Sequence, residues 1–184
     1  MQRTEIRLSG FGGQGIILAA YILGKAAALH DHKNATMTQN YGPESRGGAC
    51  SGQVIISDAP VSYPRLTHPN VVVAMSQEAY TKYAGELVDG GLLLIDQDLV
   101  HVNGGKSNAR MFSIPATRIA EKGLNRKMVA NIVMLGFLAA LDASVSSESM
   151  RRSIRESVPK GSEDLNLNAF ERGFEYGKQL LAES

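Results

Sequence analysis

The feature that most constrains the fold of this chain is a glycine-rich hexapeptide, Gly10-Phe11-Gly12-Gly13-Gln14-Gly15. Before it, residues 4–9 alternate in polarity, with Ile6 and Leu8 on one face, which predicts a β-strand. After it, apolar residues recur at three- and four-residue spacing over 16–27, which predicts a helix packed on a sheet. A strand, a glycine turn and a helix in this order are typical of α/β domains in which the backbone approaches a ligand closely. The hexapeptide is therefore a candidate for a loop that faces a ligand or another protein.

The spacing Gly10-x-Gly12-x-x-Gly15 is that of a dinucleotide-binding turn. That fingerprint also requires an acidic side chain at the end of the second strand, where this chain has Gln39 and Asn40, so NAD is disfavoured. Three interpretations stay open. The loop is a cradle for a phosphate-bearing ligand such as coenzyme A, a tight turn needed only to pack the helix on the strand, or a contact with another protein.

The rest of the chain alternates between short apolar runs and longer helical patterns. Apolar runs without polar alternation are typical of strands covered on both faces in a parallel sheet. We predict an α/β fold with a Rossmann-like wound, mostly parallel sheet and helices on both faces, in a single domain over residues 1–184. The predicted strands are 35–38, 53–57, 71–75, 92–95 and 111–114, and the predicted helices follow Ser76 and cover 125–141, 148–158 and 168–182.

A second glycine cluster, Tyr41-Gly42-Pro43-Glu44-Ser45-Arg46-Gly47-Gly48, predicts an exposed, shaped loop within 39–52. Arg46 is able to bind a phosphate or a carboxylate with two parallel hydrogen bonds, and it is equally able to pair with Glu44. Contact with a ligand, contact with a partner subunit and an internal ion pair therefore stay open. The candidate binding residues of the two clusters are Gly10, Gly12, Gly13, Gln14, Gly15, Tyr41, Gly42, Glu44, Ser45, Arg46 and Gly47.

Composition excludes several classes of function. A net charge of +1 gives no basic surface for nucleic acid. No signal peptide or apolar run of about 18 residues is present, so we expect a cytoplasmic protein that does not enter a membrane. The single cysteine, Cys50, does not suffice for an iron–sulfur cluster, which usually needs four thiolates. Because it lacks a CxxC partner, it is predicted to be a small buried residue rather than a nucleophile. His30 and His32 are predicted to be solvated, and no metal site or catalytic residue is predicted. The core is expected to include Met75, Met111, Met128 and Met134.

The two glycine clusters, in this order and spacing, resemble the gamma subunit of 2-oxoacid:ferredoxin oxidoreductases. The segments 73–80 and 131–136, and Asn168-Ala169-Phe170 with Gly173, look like the same family, so the similarity spans nearly the whole chain. The segment Ser76-Gln77-Glu78-Ala79-Tyr80 makes the chain most similar to the 2-oxoglutarate branch. The pyruvate and branched-chain 2-oxoacid branches remain open.

The resemblance implies a subunit, inactive alone, of an enzyme that converts 2-oxoglutarate and coenzyme A to succinyl-CoA and carbon dioxide while it reduces ferredoxin. It implies that thiamine diphosphate, magnesium and iron–sulfur clusters belong to other subunits and that this chain holds none of them. The implied partners are alpha and beta subunits, a ferredoxin-like delta subunit and ferredoxin as electron acceptor. This chain would support assembly and the coenzyme A side of the site. The alternatives are a stand-alone Rossmann-type module that binds a nucleotide or coenzyme A, and a purely structural assembly subunit.

Overall fold

A computed structural model of the chain describes residues 3–41, 48–104 and 108–183. The described strands form one six-stranded sheet in the order β2-β3-β1-β4-β5-β6. Among them, β3 runs antiparallel to its neighbours β1 and β2, while β1, β4, β5 and β6 are parallel. The prediction of a Rossmann-like, mostly parallel sheet is confirmed. The strands are β1 Arg3–Phe11, β2 Asn34–Asn40, β3 Ala49–Ser57, β4 Val71–Ala74, β5 Leu92–Asp96 and β6 Arg110–Ile114.

Helices cover both faces of the sheet, as predicted, but very unequally: α2 packs on one face and the other described helices pack on the opposite face. The helices are α1 Ile16–Lys25, α2 Gln77–Tyr83, α3 Ala116–Arg118, α4 Ala130–Leu141, α5 Ser147–Ser157 and α6 Glu163–Glu183. Wider π-type turns, Ala26–His30 and Ile119–Gly123, extend α1 and α3. Within the described ranges, no helix combines the length and the apolar character that crossing a membrane requires.

The two-residue period of the strands divides the core into two layers. On the α1 side, Leu8 of β1 and Val73 of β4 join one hydrophobic cluster. On the α2 side, Val72 of β4 packs with Tyr80 and Tyr83 in a second cluster. Neighbouring residues of β4 and β5 are thus buried on opposite faces, which explains why these strands read as continuous apolar runs.

Helices α4 and α6 touch through their backbones. A Cβ atom at Gly136 would collide with the carbonyl oxygen of Phe170, and one at Gly173 would collide with the carbonyl oxygen of Val133. These two glycines therefore let the helix axes approach more closely than any side chain would allow.

The structure changes several boundaries. Strand β3 begins at Ala49, not at 53, and pairs with β1 along its length, so part of the predicted loop 39–52 is strand. The segment lacks an alternating pattern because Gly52 faces α1, where a Cβ would collide with the Cβ of Ala20. Helix α6 begins at Glu163 rather than 168, and α4 begins at Ala130 rather than 125.

Three side-chain predictions were wrong. Met111 and Met128 are 46% and 84% exposed, whereas Met75 and Met134 are buried in the core as predicted. The side chain of His30 is 7% exposed, and its Nε2 lies 3.3 Å from a carboxylate oxygen of Glu156, so it is not simply solvated. An apolar residue type alone does not reveal which face of an edge strand or short turn is left uncovered.

Candidate functional site

The carboxyl ends of β1 and β4 lie side by side in the middle of the sheet. Their parallel pairing runs to Ser9 opposite Ala74, and the backbone N–H of Met75 then donates to the carbonyl of Ser9 at 2.8 Å. After β1 the chain continues into α1 on one face, and after β4 it continues into α2 on the other. A crevice at such a point, where consecutive connections leave on opposite faces, is the usual ligand site of open α/β sheets.

The glycine loop occupies the β1 side of this crevice. Gly13 and Gly15 have positive φ angles of 98° and 73°, and Gly15 precedes α1 in the left-handed conformation without a side-chain cap. The first turn of α1 contains no acidic residue, so the partial positive charge of the helix N-terminus is not neutralised locally. This arrangement favours an anion beside the loop.

The four loop glycines divide into two pairs with different surroundings. A Cβ at Gly10 would collide with the side-chain oxygen of Gln14, and one at Gly15 would lie 2.5 Å from the Nδ2 atom of Asn131. Packing therefore explains Gly10 and Gly15. At Gly12 and Gly13 an added Cβ would meet nothing within 4 Å, so packing does not explain them. The positive φ of Gly13 belongs to the turn itself, so the interpretation as a tight turn needed only for packing leaves Gly12 without an explanation.

Asn131, at the start of α4, contacts the glycine loop and was not among the candidate binding residues, although segment 131–136 was noted for its family resemblance. Its side chain is buried, and its Nδ2 donates a hydrogen bond of 3.0 Å to the carbonyl of Gly15. A lone asparagine that opens an otherwise apolar helix was the available signal, because a buried amide needs a specific hydrogen-bond partner.

The carboxyl end of β2 carries the second group of candidate residues. Tyr41 is 62% exposed just beyond Asn40, and its hydroxyl donates to the side-chain oxygen of Gln39 at 3.4 Å. Because β3 lies between β1 and β2, the end of β2 is one strand farther from the glycine loop than in a dinucleotide-binding turn. NAD therefore remains disfavoured. The other candidates of this loop, Gly42, Glu44, Ser45, Arg46 and Gly47, lie outside the described residues.

Two polar residues at the same sheet edge have structural roles. Ser76 caps α2 as predicted, with its hydroxyl accepting from the backbone N–H of Ala79 at 3.2 Å. The Asp96 carboxylate, fully buried at the end of β5, accepts hydrogen bonds from the backbone N–H and the hydroxyl of Thr117 at 2.9 and 2.6 Å. It therefore fixes the start of α3.

Cys50 lies on β3 directly opposite Gly10 of β1 and is 6% exposed, so the prediction of a buried cysteine is confirmed. Burial raises the pKa of its thiol, and a backbone hydrogen bond opposes this only in part. One buried thiol does not fit an iron–sulfur cluster. Within 3–41, 48–104 and 108–183, no three His, Cys, Asp or Glu side chains are grouped as metal ligands.

A cleft of about 790 Å³ lies on the α2 face, between α2 and the segment after β5. Its walls are mainly apolar, and Tyr80 closes one side by donating to the carbonyl of Gly104 at 2.6 Å. The described residues that line it include no carboxylate, histidine, lysine or arginine. Among these described lining residues the ionisable side chain is that of Tyr80, whose hydroxyl is engaged with the Gly104 carbonyl.

Comparison with known proteins gives one consistent result. The family model described as pyruvate ferredoxin/flavodoxin oxidoreductase matches residues 5–176. The chain is 52% identical to 2-oxoglutarate synthase subunit KorC of Methanocaldococcus jannaschii over 97% of this chain and 96% of that protein. The keto/oxoacid ferredoxin oxidoreductase gamma subunit of Geobacter sulfurreducens has a TM-score of 0.88 at 42% identity, covering 96% of this chain and 97% of that one.

A third relative shares the fold within a longer chain. It is the 2-oxoglutarate:ferredoxin oxidoreductase of Magnetococcus marinus, solved with 2-oxoglutarate, coenzyme A and succinyl-CoA bound. The match has a TM-score of 0.86 at 22% identity and covers 97% of this chain and 32% of that one. The fold described above thus also occurs as about one third of a larger polypeptide.

Proposed function

The chain belongs to the pyruvate ferredoxin/flavodoxin oxidoreductase family, and on that premise we propose that it is the gamma subunit of a 2-oxoglutarate:ferredoxin oxidoreductase. The observation that carries the proposal is 52% identity to the 2-oxoglutarate synthase subunit over nearly the full length of both chains. The complex would oxidise 2-oxoglutarate with coenzyme A to succinyl-CoA and carbon dioxide and reduce ferredoxin. Its other members would be alpha, beta and ferredoxin-like delta subunits.

The cofactor chemistry belongs, in this proposal, to the partner subunits. Thiamine diphosphate with magnesium would stabilise the carbanion formed on decarboxylation, and iron–sulfur clusters would carry the electrons. The described residues of this chain do not fit these groups, because they offer one buried thiol and no cluster of potential metal ligands. What this chain contributes is therefore binding and positioning.

We assign the coenzyme A side of the site to the glycine loop. The open backbone at Gly12 and Gly13 and the free N-terminus of α1 suit a phosphate of coenzyme A. Tyr41 lies at the same edge of the sheet, and the segment 42–47 that follows it contains Arg46. These residues are proposed as a second contact with the coenzyme or with a partner subunit.

Reconstitution tests the identity of the reaction. The chain is expressed with its alpha, beta and delta partners, and viologen or ferredoxin reduction is measured with 2-oxoglutarate, pyruvate and 2-oxoisovalerate. We expect coenzyme A-dependent turnover that is highest with 2-oxoglutarate and absent from the complex prepared without this chain. Higher kcat/KM with another 2-oxoacid would reject the 2-oxoglutarate assignment.

Two substitutions at Gly12 test the coenzyme A side. A Cβ at Gly12 meets nothing within 4 Å, so neither variant collides at that atom. Gly12→Asp places a negative charge beside the proposed phosphate and should raise the KM for coenzyme A about tenfold or more. Gly12→Ala is the uncharged control and should stay within about threefold of the parent. Equal KM values for both variants would reject the site.

A stand-alone coenzyme- or nucleotide-binding module is the second candidate function. It is favoured because Gly12 and Gly13, where an added Cβ would meet nothing within 4 Å, both belong to this chain. Calorimetric titration of the isolated chain with coenzyme A and with NAD separates the two functions. Saturable binding that is lost in Gly12→Val, together with no effect of the partners on affinity, would favour the module.

A further inference from the structure

The side chain of Gln14 joins the two loops that form the crevice. Its Oε1 accepts a hydrogen bond from the backbone N–H of Phe11 at 2.9 Å, within the glycine loop. Its Nε2 donates a hydrogen bond to the carbonyl of Met75 at 2.7 Å, in the connection between β4 and α2. One carboxamide thus links the chain after β1 to the chain after β4.

This link continues the pairing of the two strands beyond their last backbone contact. The final backbone bond runs from the N–H of Met75 to the carbonyl of Ser9, and the Gln14 amide provides the next contact between the same two segments. Gly10 leaves the space that the amide needs, because a Cβ there would collide with Oε1 of Gln14. The position of the Gln14 amide therefore depends on the absence of a side chain at Gly10.

The carboxamide of Gln14 supplies the acceptor and the donor for both bonds in one side chain. A carboxylate would accept from Phe11 but could not donate to the Met75 carbonyl, and a thioether would do neither well. The carboxamide is also neutral, so it adds no negative charge beside a loop that favours an anion. Glutamine at position 14 thus makes both hydrogen bonds without adding a charge to the loop.

Gln14 lies between the two loop residues with positive φ, Gly13 at 98° and Gly15 at 73°. The backbone of this stretch is permissive, because glycine samples positive and negative φ about equally. A side chain anchored on the carbonyl of Met75, just after β4, therefore limits the conformations of Gly12 and Gly13, where an added Cβ would meet open space. Limiting these conformations before binding reduces the conformational entropy lost when a ligand binds.

We propose that Gln14 is a positioning residue that holds the glycine loop in the conformation that binds the phosphate of coenzyme A. The proposal rests on the function assigned above to this loop. Gln14 contacts no reacting atom. It acts through the backbone of Gly12 and Gly13, and its loss should weaken coenzyme A binding more than turnover.

Steady-state kinetics of the reconstituted complex test this role. Gln14→Met preserves the length of the side chain and removes both hydrogen bonds. We expect the KM for coenzyme A to rise about tenfold, with kcat and the KM for 2-oxoglutarate within about twofold of the parent. Gln14→Glu preserves only the bond from Phe11 and adds a negative charge, so its KM for coenzyme A should rise at least as much. Gln179→Met, at an exposed position of α6, is the matched control and should leave all three constants unchanged.

The outcomes separate this proposal from the one it rests on. If Gly12→Asp raises the KM for coenzyme A and Gln14→Met does not, the loop binds the coenzyme and Gln14 has no positioning role. If neither variant changes that KM, the assignment of the loop itself is rejected. A Gln14→Met complex with lowered kcat and an unchanged KM, or failure of both Gln14 variants to assemble, would mean a structural role and would overturn the proposal.

Discussion

The side-chain nitrogen of Asn131 lies 3.0 Å from the carbonyl oxygen of Gly15 and donates a hydrogen bond to it across 116 residues of sequence. The same nitrogen would lie 2.5 Å from a Cβ at position 15. The contact therefore requires both an amide on α4 and the absence of a side chain at the start of α1. It ties the glycine loop to the core helix behind it.

Gly15→Ala should destabilise the chain by about 2 kcal/mol or more, because alanine is strained at a φ of 73° and also collides with Asn131. Asn131→Ala in the same chain should remove the collision but not the strain. The double variant should therefore be more stable than the sum of the single effects indicates. Urea unfolding of the four proteins measures this coupling, and strictly additive changes would contradict it.

The contact between α4 and α6 should not tolerate an added side chain at its glycines. Gly173→Ala places a methyl group against the backbone of Val133, which has no side-chain freedom with which to move aside, so we expect a loss of about 3 kcal/mol or more. Gly123→Ala is the control, since a Cβ there meets nothing within 4 Å, and it should change stability by less than about 1 kcal/mol. Similar thermal midpoints for the two variants would refute the close contact.

Asp31 should make the free energy of unfolding depend on pH in the acid range. Burial acts to raise its pKa, but hydrogen bonds from Ser149 and from the backbone and hydroxyl of Ser146, together with the charge of Lys33, outweigh it and lower the pKa. A carboxylate whose pKa is lower in the folded state stabilises the fold fully above its unfolded pKa of about 3.9, and this contribution disappears as the pH falls through the folded pKa.

The variant Asp31→Asn measures that contribution. At pH 7 it should cost about 1 kcal/mol, because Asp31 accepts the bonds that open α5 at Ser146. The difference from the parent should shrink as the pH falls below about 3.9. Glu175→Gln, an exposed carboxylate on α6, is the comparison and should show a much smaller effect at both pH values. A difference for Asp31→Asn that is constant with pH would disagree with the lowered pKa.

Cys50 should react slowly with thiol reagents in the folded protein. It is 6% exposed, and burial raises the pKa of its thiol, so both access and thiolate content are low. At pH 8 we expect labelling by a disulfide reagent to be on the order of 100-fold slower than in urea. Because the chain contains one cysteine, a single absorbance signal reports this rate. Equal rates in buffer and in urea would place the thiol at the surface.

Arg46 is expected to act on a ligand or a partner subunit rather than on the fold. Arg46→Ala should lower turnover or assembly of the complex about fivefold or more, while the thermal midpoint of the purified chain stays within about 2 °C. Arg46→Lys preserves the charge but not the ability to donate two parallel hydrogen bonds. Partial recovery of turnover in Arg46→Lys would indicate that charge alone makes the contact. No recovery would indicate that the contact needs both hydrogen bonds. A large fall in thermal midpoint would instead assign Arg46 to an internal ion pair.

The parts of the fold that depend on nearby residues were predictable from the sequence. The strand before Gly10, the helix after Gly15 and the cap at Ser76 all follow from patterns within a few residues. The antiparallel position of β3 and the contact of Asn131 with Gly15 were not, because both depend on residues far apart in the chain. For the same reason the exposure of Met128 was missed, since nothing in its neighbourhood reveals which surface the fold leaves uncovered.

The backbone contact between α4 and α6 has a consequence for the order of events during synthesis. The glycine loop is braced by Asn131 on α4, and α4 is in turn held against α6 through Gly136 and Gly173. The ribosome makes α6 after every other described helix. We therefore expect the bond from Asn131 to the loop to be fully braced only after α6 has emerged, whereas the bond from Gln14 to Met75 needs no residue of α4 or α6.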